Sequence, residues 1–161
     1  MRFLPWSPRT VRQYDLVFGG HPAISPLVEH AARSLNAVDN VHIFQSRWFE
    51  SIVSPEARAF QNLYWTRIGN DSDESLSIMR VEMLRFRTFR VGIFIGGMEE
   101  VEAECDLFKR SYLRHQIFPI ASTQGAALRL WDRGEGPQVS AIRNALRYDR
   151  HYRALFHKLL R

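Results

Sequence analysis

The feature that most constrains this chain is an apolar run that ends in two glycines and opens at once into acidic, helix-type sequence: residues 93–104 read Ile-Phe-Ile-Gly-Gly-Met-Glu-Glu-Val-Glu-Ala-Glu. Glycines let the backbone turn tightly and approach a ligand, while the start of the following helix offers unpaired N–H groups and a positive dipole end. A buried strand running into such a turn is therefore how an α/β protein builds a site. The arrangement occurs twice, since residues 15–22, Asp-Leu-Val-Phe-Gly-Gly-His-Pro, repeat it near the N-terminus. A third turn of small residues, Ala121-Ser122-Thr123-Gln124-Gly125-Ala126-Ala127, follows the short apolar run Ile117-Phe118-Pro119-Ile120.

Between these turns the period of the apolar residues alternates between strand and helix. After the first Gly-Gly, Ser25-Pro26 reads as an N-cap with a first-turn proline, and Val28, Ala31, Ala32 and Leu35 follow helical spacing. Residues 41–45 form a second short strand. The aromatic segment with Trp48, Phe49, Phe60, Tyr64 and Trp65 reads as partly helical, and the hydrophilic run 69–73 as a loop, the most mobile element of the chain. Leu76, Met79, Met83 and Phe86 mark the next helix, leading into a strand at 91–95; Val101, Cys105, Phe108 and Tyr112 mark the one after it. Residues 131–137 read as a loop and 140–160 as one broken or two consecutive helices. The expected class is α/β, a single three-layer domain over 1–161 with a mostly parallel sheet, helices on both faces, a lead-in at 1–14 that packs Phe3 or Trp6, and C-terminal helices at 138–161. Ligands of such folds bind outside the carboxyl ends of the strands.

At 161 residues the chain is long enough to bury its own core without a disulfide or metal. Its one cysteine, Cys105, cannot close an intramolecular disulfide and reads as core rather than nucleophile. No stretch approaches the ~18 apolar residues of a membrane span and no signal-peptide pattern occurs, so the protein reads as soluble and cytoplasmic. The net charge is +5, with an excess at the C-terminal end, where Arg143, Arg147, Arg150, Arg153, Lys158 and Arg161 face only Asp149. No nucleic-acid motif accompanies them, and a solvated helix face or an acidic partner subunit is the favoured reading over nucleic acid.

The three turns, at Gly19-Gly20, Gly96-Gly97 and Ser122-Thr123-Gln124-Gly125, are expected at one edge of a parallel sheet, where backbone N–H groups and the two hydroxyls would hold phosphates and ribose hydroxyls. Glu100 and Glu104, one helical turn apart on the side of Gly97, are the carboxylates placed to accept from ribose or to stabilise a ribosyl cation; offsetting the helix dipole is their other reading. Arg80 suits phosphate recognition or an ion pair with Glu82 or Glu100. His21 and His42 are candidate bases or phosphate contacts, but six scattered histidines without ligand spacing argue against a metal site. Neither a three-glycine dinucleotide signature nor a P-loop occurs, so no cofactor is expected.

At these residues the sequence resembles the SLOG superfamily, Rossmann-like proteins that include the lonely-guy phosphoribohydrolases and prokaryotic conflict-system sensors such as the C-terminal domain of Thoeris effectors. The likeness runs from Asp15 to about Trp131. It rests on Phe18-Gly-Gly-His-Pro, Phe44-Gln-Ser-Arg-Trp-Phe49, Ser75-Leu-Ser-Ile-Met-Arg80, residues 94–104 and residues 121–127. The resemblance implies a phosphoribosyl-type site that includes Gly19, Gly20, His21, Gln45, Arg80, Gly96, Gly97, Glu100, Glu104, Ser122, Thr123 and Gly125. The phosphoribohydrolases carry Pro-Gly-Gly-x-Gly-Thr-x-x-Glu; here Ile95 replaces the proline, Glu99 and Glu100 stand where Gly-Thr is expected, and Glu104 comes one residue late.

The leading expectation is a binding module that senses a nucleotide-derived small molecule, ADP-ribose-like, and passes the signal to a separately encoded effector or a homo-oligomer built through the aromatic segment or the C-terminal helices. The rival is hydrolysis of a nucleotide N-glycosidic bond, with Glu104 stabilising the ribosyl cation and Arg80 holding phosphate. Nucleic-acid binding through the C-terminal arginines is the third class.

Overall fold

The computed structural model describes residues 14–112 and 116–160, so the lead-in with Phe3 and Trp6, and Arg161, lie outside the described residues. The chain divides into two compact units, Met1–Phe86 and Arg87–Arg161. Both are α/β, and every strand pair among the described residues is parallel.

In the first unit, β1 (Leu16–Gly19), β2 (Val41–Ser46) and β3 (Leu63–Thr66) lie in that order, with Gly19 opposite Phe44 and Ser46 opposite Thr66. All six residues of β2 are buried, as a strand covered on both faces requires. Strand alternation sorts them. Val41 and Ile43 pack with Ala32 of helix α1 (Ser25–Ser34) and with Phe60, Phe18 and Leu63. His42 and Phe44 turn the other way, into a group of rings with Tyr64 and Phe86 at centroid distances of 4.8–5.9 Å. Tyr64 and Trp65 thus belong to a strand, where the aromatic spacing reads as partly helical. Two short helical turns, Arg47–Ile52 and α2 (Pro55–Arg58), occupy the rest of that segment.

Helix α3 (Ser72–Arg85) starts inside the run read as a loop, because the Asp71 side chain caps it by accepting from the Glu74 N–H at 2.8 Å. The hydrophilic run read as mobile is pinned there: Glu74 accepts from the Asn70 N–H at 2.6 Å and the Ser75 hydroxyl from the Gly69 N–H at 2.9 Å.

The second unit pairs β4 (Val91–Ile95) with β5 (Gln116–Ile120) and carries α4 (Glu99–Ser111), α5 (Gly125–Asp132), α6 (Ser140–Tyr148) and α7 (Tyr152–Leu159). Its core joins Phe118 and Ile120 of β5 to Leu146, Leu155 and Leu159 of the last two helices, with Val91, Ile93 and Trp131 packed against them. The C-terminal helices are therefore core elements of this unit. No helix among the described residues is long and apolar enough to cross a membrane.

Candidate functional site

The turn after β1 uses its own backbone. Gly20 N–H donates to the Phe44 carbonyl (2.9 Å), His21 N–H to the Ser25 hydroxyl (3.2 Å) and Ala23 N–H to His21 Nδ1 (3.1 Å). Ile24 and Ser25 N–H both reach the His21 carbonyl, and Leu27 and Val28 N–H the Ile24 carbonyl. Pro22 and Pro26 have no N–H to give. Every N–H from Gly20 to Val28 is thus committed, so this turn is not the anion cradle that its Gly-Gly suggests. Ser25 is not the cap either. The N-cap position is Ile24, and the Ser25 hydroxyl, wholly buried, serves His21 instead. Since His21 Nδ1 accepts, the neutral ring carries its proton on Nε2.

Neither Gly19 nor Gly20 has a positive φ. Space, not backbone freedom, requires Gly20: a Cβ there would lie 2.5 Å from Gln45 Nε2 and 2.8 Å from Ile43 Cγ2. Gln45, 5% exposed, lies directly against this turn. His42 lies away from any surface role, 4% exposed, with Nδ1 3.2 Å from the Tyr64 hydroxyl and Nε2 3.8 Å from Asp15 Oδ2. Arg80 sits half-buried on α3, beside Met79, whose Cε would be 3.0 Å from a Cβ at Gly19.

The second Gly-Gly differs. Gly96 and Gly97 have φ of 54° and 79°, the left-handed region where side chains are penalised. The turn after β5 is latched onto them. Gly96 N–H donates to Thr123 Oγ1 (2.7 Å), which itself donates to the Ile120 carbonyl (2.6 Å), while Ala126 and Ala127 N–H donate to the carbonyls of Gly97 and Gly96 (2.9 and 3.1 Å). Gly125 and the preceding Gln124 also have positive φ, 63° and 64°; with ψ of −164°, Gln124 occupies a region essentially reserved for glycine. In this unit the sequence reading of converging turns holds for Gly96-Gly97 and Ser122–Gly125.

What the latch leaves over is the chemistry on offer. Among the described residues the N–H groups of Gly97, Met98, Glu99 and Glu100 find no acceptor. The Ser122 hydroxyl is sealed from solvent without a hydrogen-bond partner, a state that native structures rarely leave unexplained. The Thr123 hydroxyl, by contrast, is spent on holding the two turns together. Glu99 and Glu100 stand exposed at the start of α4, and Glu104 is half-buried one turn on. Each carboxylate there offsets roughly 0.3–1 kcal/mol of the dipole's pull on an anion. The combination of free N–H donors with carboxylate acceptors suits sugar hydroxyls better than a bare phosphate.

The carboxylate between the two expected ones has a structural partner set that spacing did not reveal. Glu102 accepts from Arg129 (2.5 Å) and Arg133 (3.2 Å), Arg133 also reaches Asp106 (2.9 Å), and Lys109 reaches Glu135 (2.5 Å). The Arg129 hydrogen bond, then the charges of both arginines, hold the Glu102 carboxyl below its ordinary range. Cys105 is wholly buried, and burial, followed by the nearby Glu135 and Asp106 charges, pushes its thiol up to about 12. A thiolate-seeking maleimide at pH 7.5 is therefore expected to label the native protein at well under a tenth of its rate in denaturant; equal rates would show that α4 opens freely.

The family model that matches the chain is that of the SLOG cluster3 family, over residues 8–160. The chain belongs to the SLOG cluster3 family. No curated protein and no solved structure matches it. Membership of a SLOG family points to nucleotide-related ligand binding or processing, and one family match spans both units of this SLOG chain.

The C-terminal arginines divide. Arg143 donates to the carbonyls of Trp131 (2.6 Å) and Glu135 (3.2 Å) with its guanidinium 4.3 Å from the Trp131 ring centroid, and Trp131 Nε1 donates back to the Arg143 carbonyl. Arg147 lies over Trp131 and Tyr148. These two are packing residues, leaving Arg150, Arg153 and Lys158 exposed.

Proposed function

We propose that this SLOG chain binds a nucleotide-derived small molecule, ADP-ribose-like or otherwise phosphoribosyl, and acts as the sensing component of a prokaryotic signalling or antiphage defence system. The observation that supports this most is the latched pair of turns at Gly96-Gly97 and Ser122–Gly125, with its free N–H groups and its carboxylates. A rigid pair of donors and acceptors at strand ends is preorganised for a ribosyl group, since nothing must be ordered on binding. The output passes to a second copy of the chain or to a separately encoded effector; the exposed Trp48 and Ile52 provide apolar surface for either.

The test is thermal stability against AMP, ADP-ribose and ribose 5-phosphate, each mixture then assayed for released base. Stabilisation without base release is the expected result. Base release that Glu104→Gln lowers by 100-fold or more would instead make the protein an N-glycosidase with Glu104 as the group facing the ribosyl cation. No stabilisation by any of the three ligands would remove the reading.

A further inference from the structure

The latched turns hold four positions with positive φ, Gly96, Gly97, Gln124 and Gly125, and Gln124 alone carries a side chain there. Its φ of 64° and ψ of −164° fall in a region that glycine enters freely and that a Cβ penalises. Such a conformation persists only where the surroundings impose it. Here they do. On one side of Gln124, Thr123 Oγ1 accepts from the Gly96 N–H at 2.7 Å; on the other, the Ala126 N–H donates to the Gly97 carbonyl at 2.9 Å; and the Gln124 N–H itself donates to the Ala121 carbonyl at 3.0 Å.

The latch therefore fixes this backbone whatever residue stands at 124, and glycine would follow it without strain. The glutamine side chain returns nothing to the fold that offsets the strain. It is exposed, and among the described residues its carboxamide makes no hydrogen bond. A side chain that lowers stability and has no internal polar partner fits a residue kept for function, since strain of this kind collects where ligands are held.

Its place agrees. Gln124 stands between two residues that bear on the Gly96-Gly97 turn, whose following N–H groups, those of residues 97–100, are free. An amide offers a donor and an acceptor on one flat group, and neighbouring hydroxyls, each able to donate and accept, are its match. The exposed carboxylates of Glu99 and Glu100 call for the same hydroxyl donors.

We infer that Gln124 is a ligand-binding residue whose carboxamide takes the paired 2′ and 3′ hydroxyls of a ribose, Nε2–H donating to one oxygen and Oε1 accepting from the other. This deepens the proposed function and rests on it: the second unit holds the ligand by its sugar, and it tells ribose from deoxyribose. All the groups involved belong to that unit.

The test is thermal melting, with calorimetric titration of AMP and 2′-deoxy-AMP, on the wild-type chain, Gln124→Gly and Gln124→Ala. Both substitutions remove the carboxamide, and only glycine relieves the backbone. Gln124→Gly is expected to melt about 2–6 °C above the wild type, after allowance for the greater freedom of glycine in the unfolded chain, while Gln124→Ala melts within about 1 °C of it. Both variants are expected to lose roughly 10-fold in AMP affinity, and a wild-type preference for AMP over 2′-deoxy-AMP of about 5-fold should shrink to within about twofold. A more stable chain that binds more weakly cannot be explained by damage to the fold. A glycine variant no more stable than the wild type, AMP affinity unchanged in both variants, or a wild type that binds the two nucleotides equally overturns the assignment and leaves the proposed function standing. A wild-type chain that binds neither nucleotide also overturns it, and the proposed function falls with it if ADP-ribose and ribose 5-phosphate fail to bind as well.

Discussion

Gly125→Ala is expected to destabilise the second unit by about 3 kcal/mol, through two separate costs. The residue sits at φ 63°, where a Cβ costs roughly 1–2 kcal/mol, and that Cβ would come closer than 3.0 Å to the Gly97 carbonyl oxygen. The oxygen cannot retreat without losing the Ala126 N–H bond, and overpacking of this kind costs roughly 1–3 kcal/mol. Gly134→Ala separates the two terms. Gly134 also has positive φ, 86°, but a Cβ there would meet nothing within 4 Å, so only the conformational cost of about 1 kcal/mol applies. Urea unfolding of both variants measures the difference; equal losses would mean that the two turns do not need their close approach. Because the Ala126 and Ala127 N–H groups that hold the Gly97 and Gly96 carbonyls follow directly on Gly125, the same substitution is expected to weaken any ligand that uses the N–H groups of residues 97–100.

Leu146→Ala is expected to cost about 2–5 kcal/mol. Leu146 is wholly buried between β5 and α7, among Phe118, Ile120, Leu155 and Leu159, so truncation leaves a cavity lined by residues that the sheet and the neighbouring helix hold apart. Arg150→Ala, at an exposed position near the end of α6, should change stability by less than about 0.5 kcal/mol. The pair asks whether the basic C-terminal region is structure or appendage. A loss below about 1 kcal/mol for Leu146→Ala would make α6 and α7 a detachable tail, and the exposed Arg150, Arg153 and Lys158 would then deserve an anionic partner. The expected large loss leaves them as the solvated side of two core helices.

Much of this protein was legible in its residue order, because it depends on short-range preferences. Strand runs, helical periods at Val101, Cys105 and Phe108, and the α/β alternation follow from which side chains recur at which spacing, and the glycines at 96, 97 and 125 stand where the backbone needs a positive φ. β3 was hidden because its four residues, Leu-Tyr-Trp-Thr, are too few to show a period, and its place is set by pairing with β2.

Two Gly-Gly turns came out with opposite chemistry, which the glycine pair itself does not reveal. The first spends its N–H groups on the Phe44 carbonyl 24 positions away from Gly20 and on the side chains of His21 and Ser25; the second is fixed by Thr123 and keeps the next four N–H groups free. Residue order determined where the chain must turn, since φ, ψ and hydrophobic period are properties of neighbours along the chain. Only the tertiary structure decided which polar groups remain unpaired, because a hydrogen bond is settled by whichever donor and acceptor meet in space, however far apart they lie in sequence.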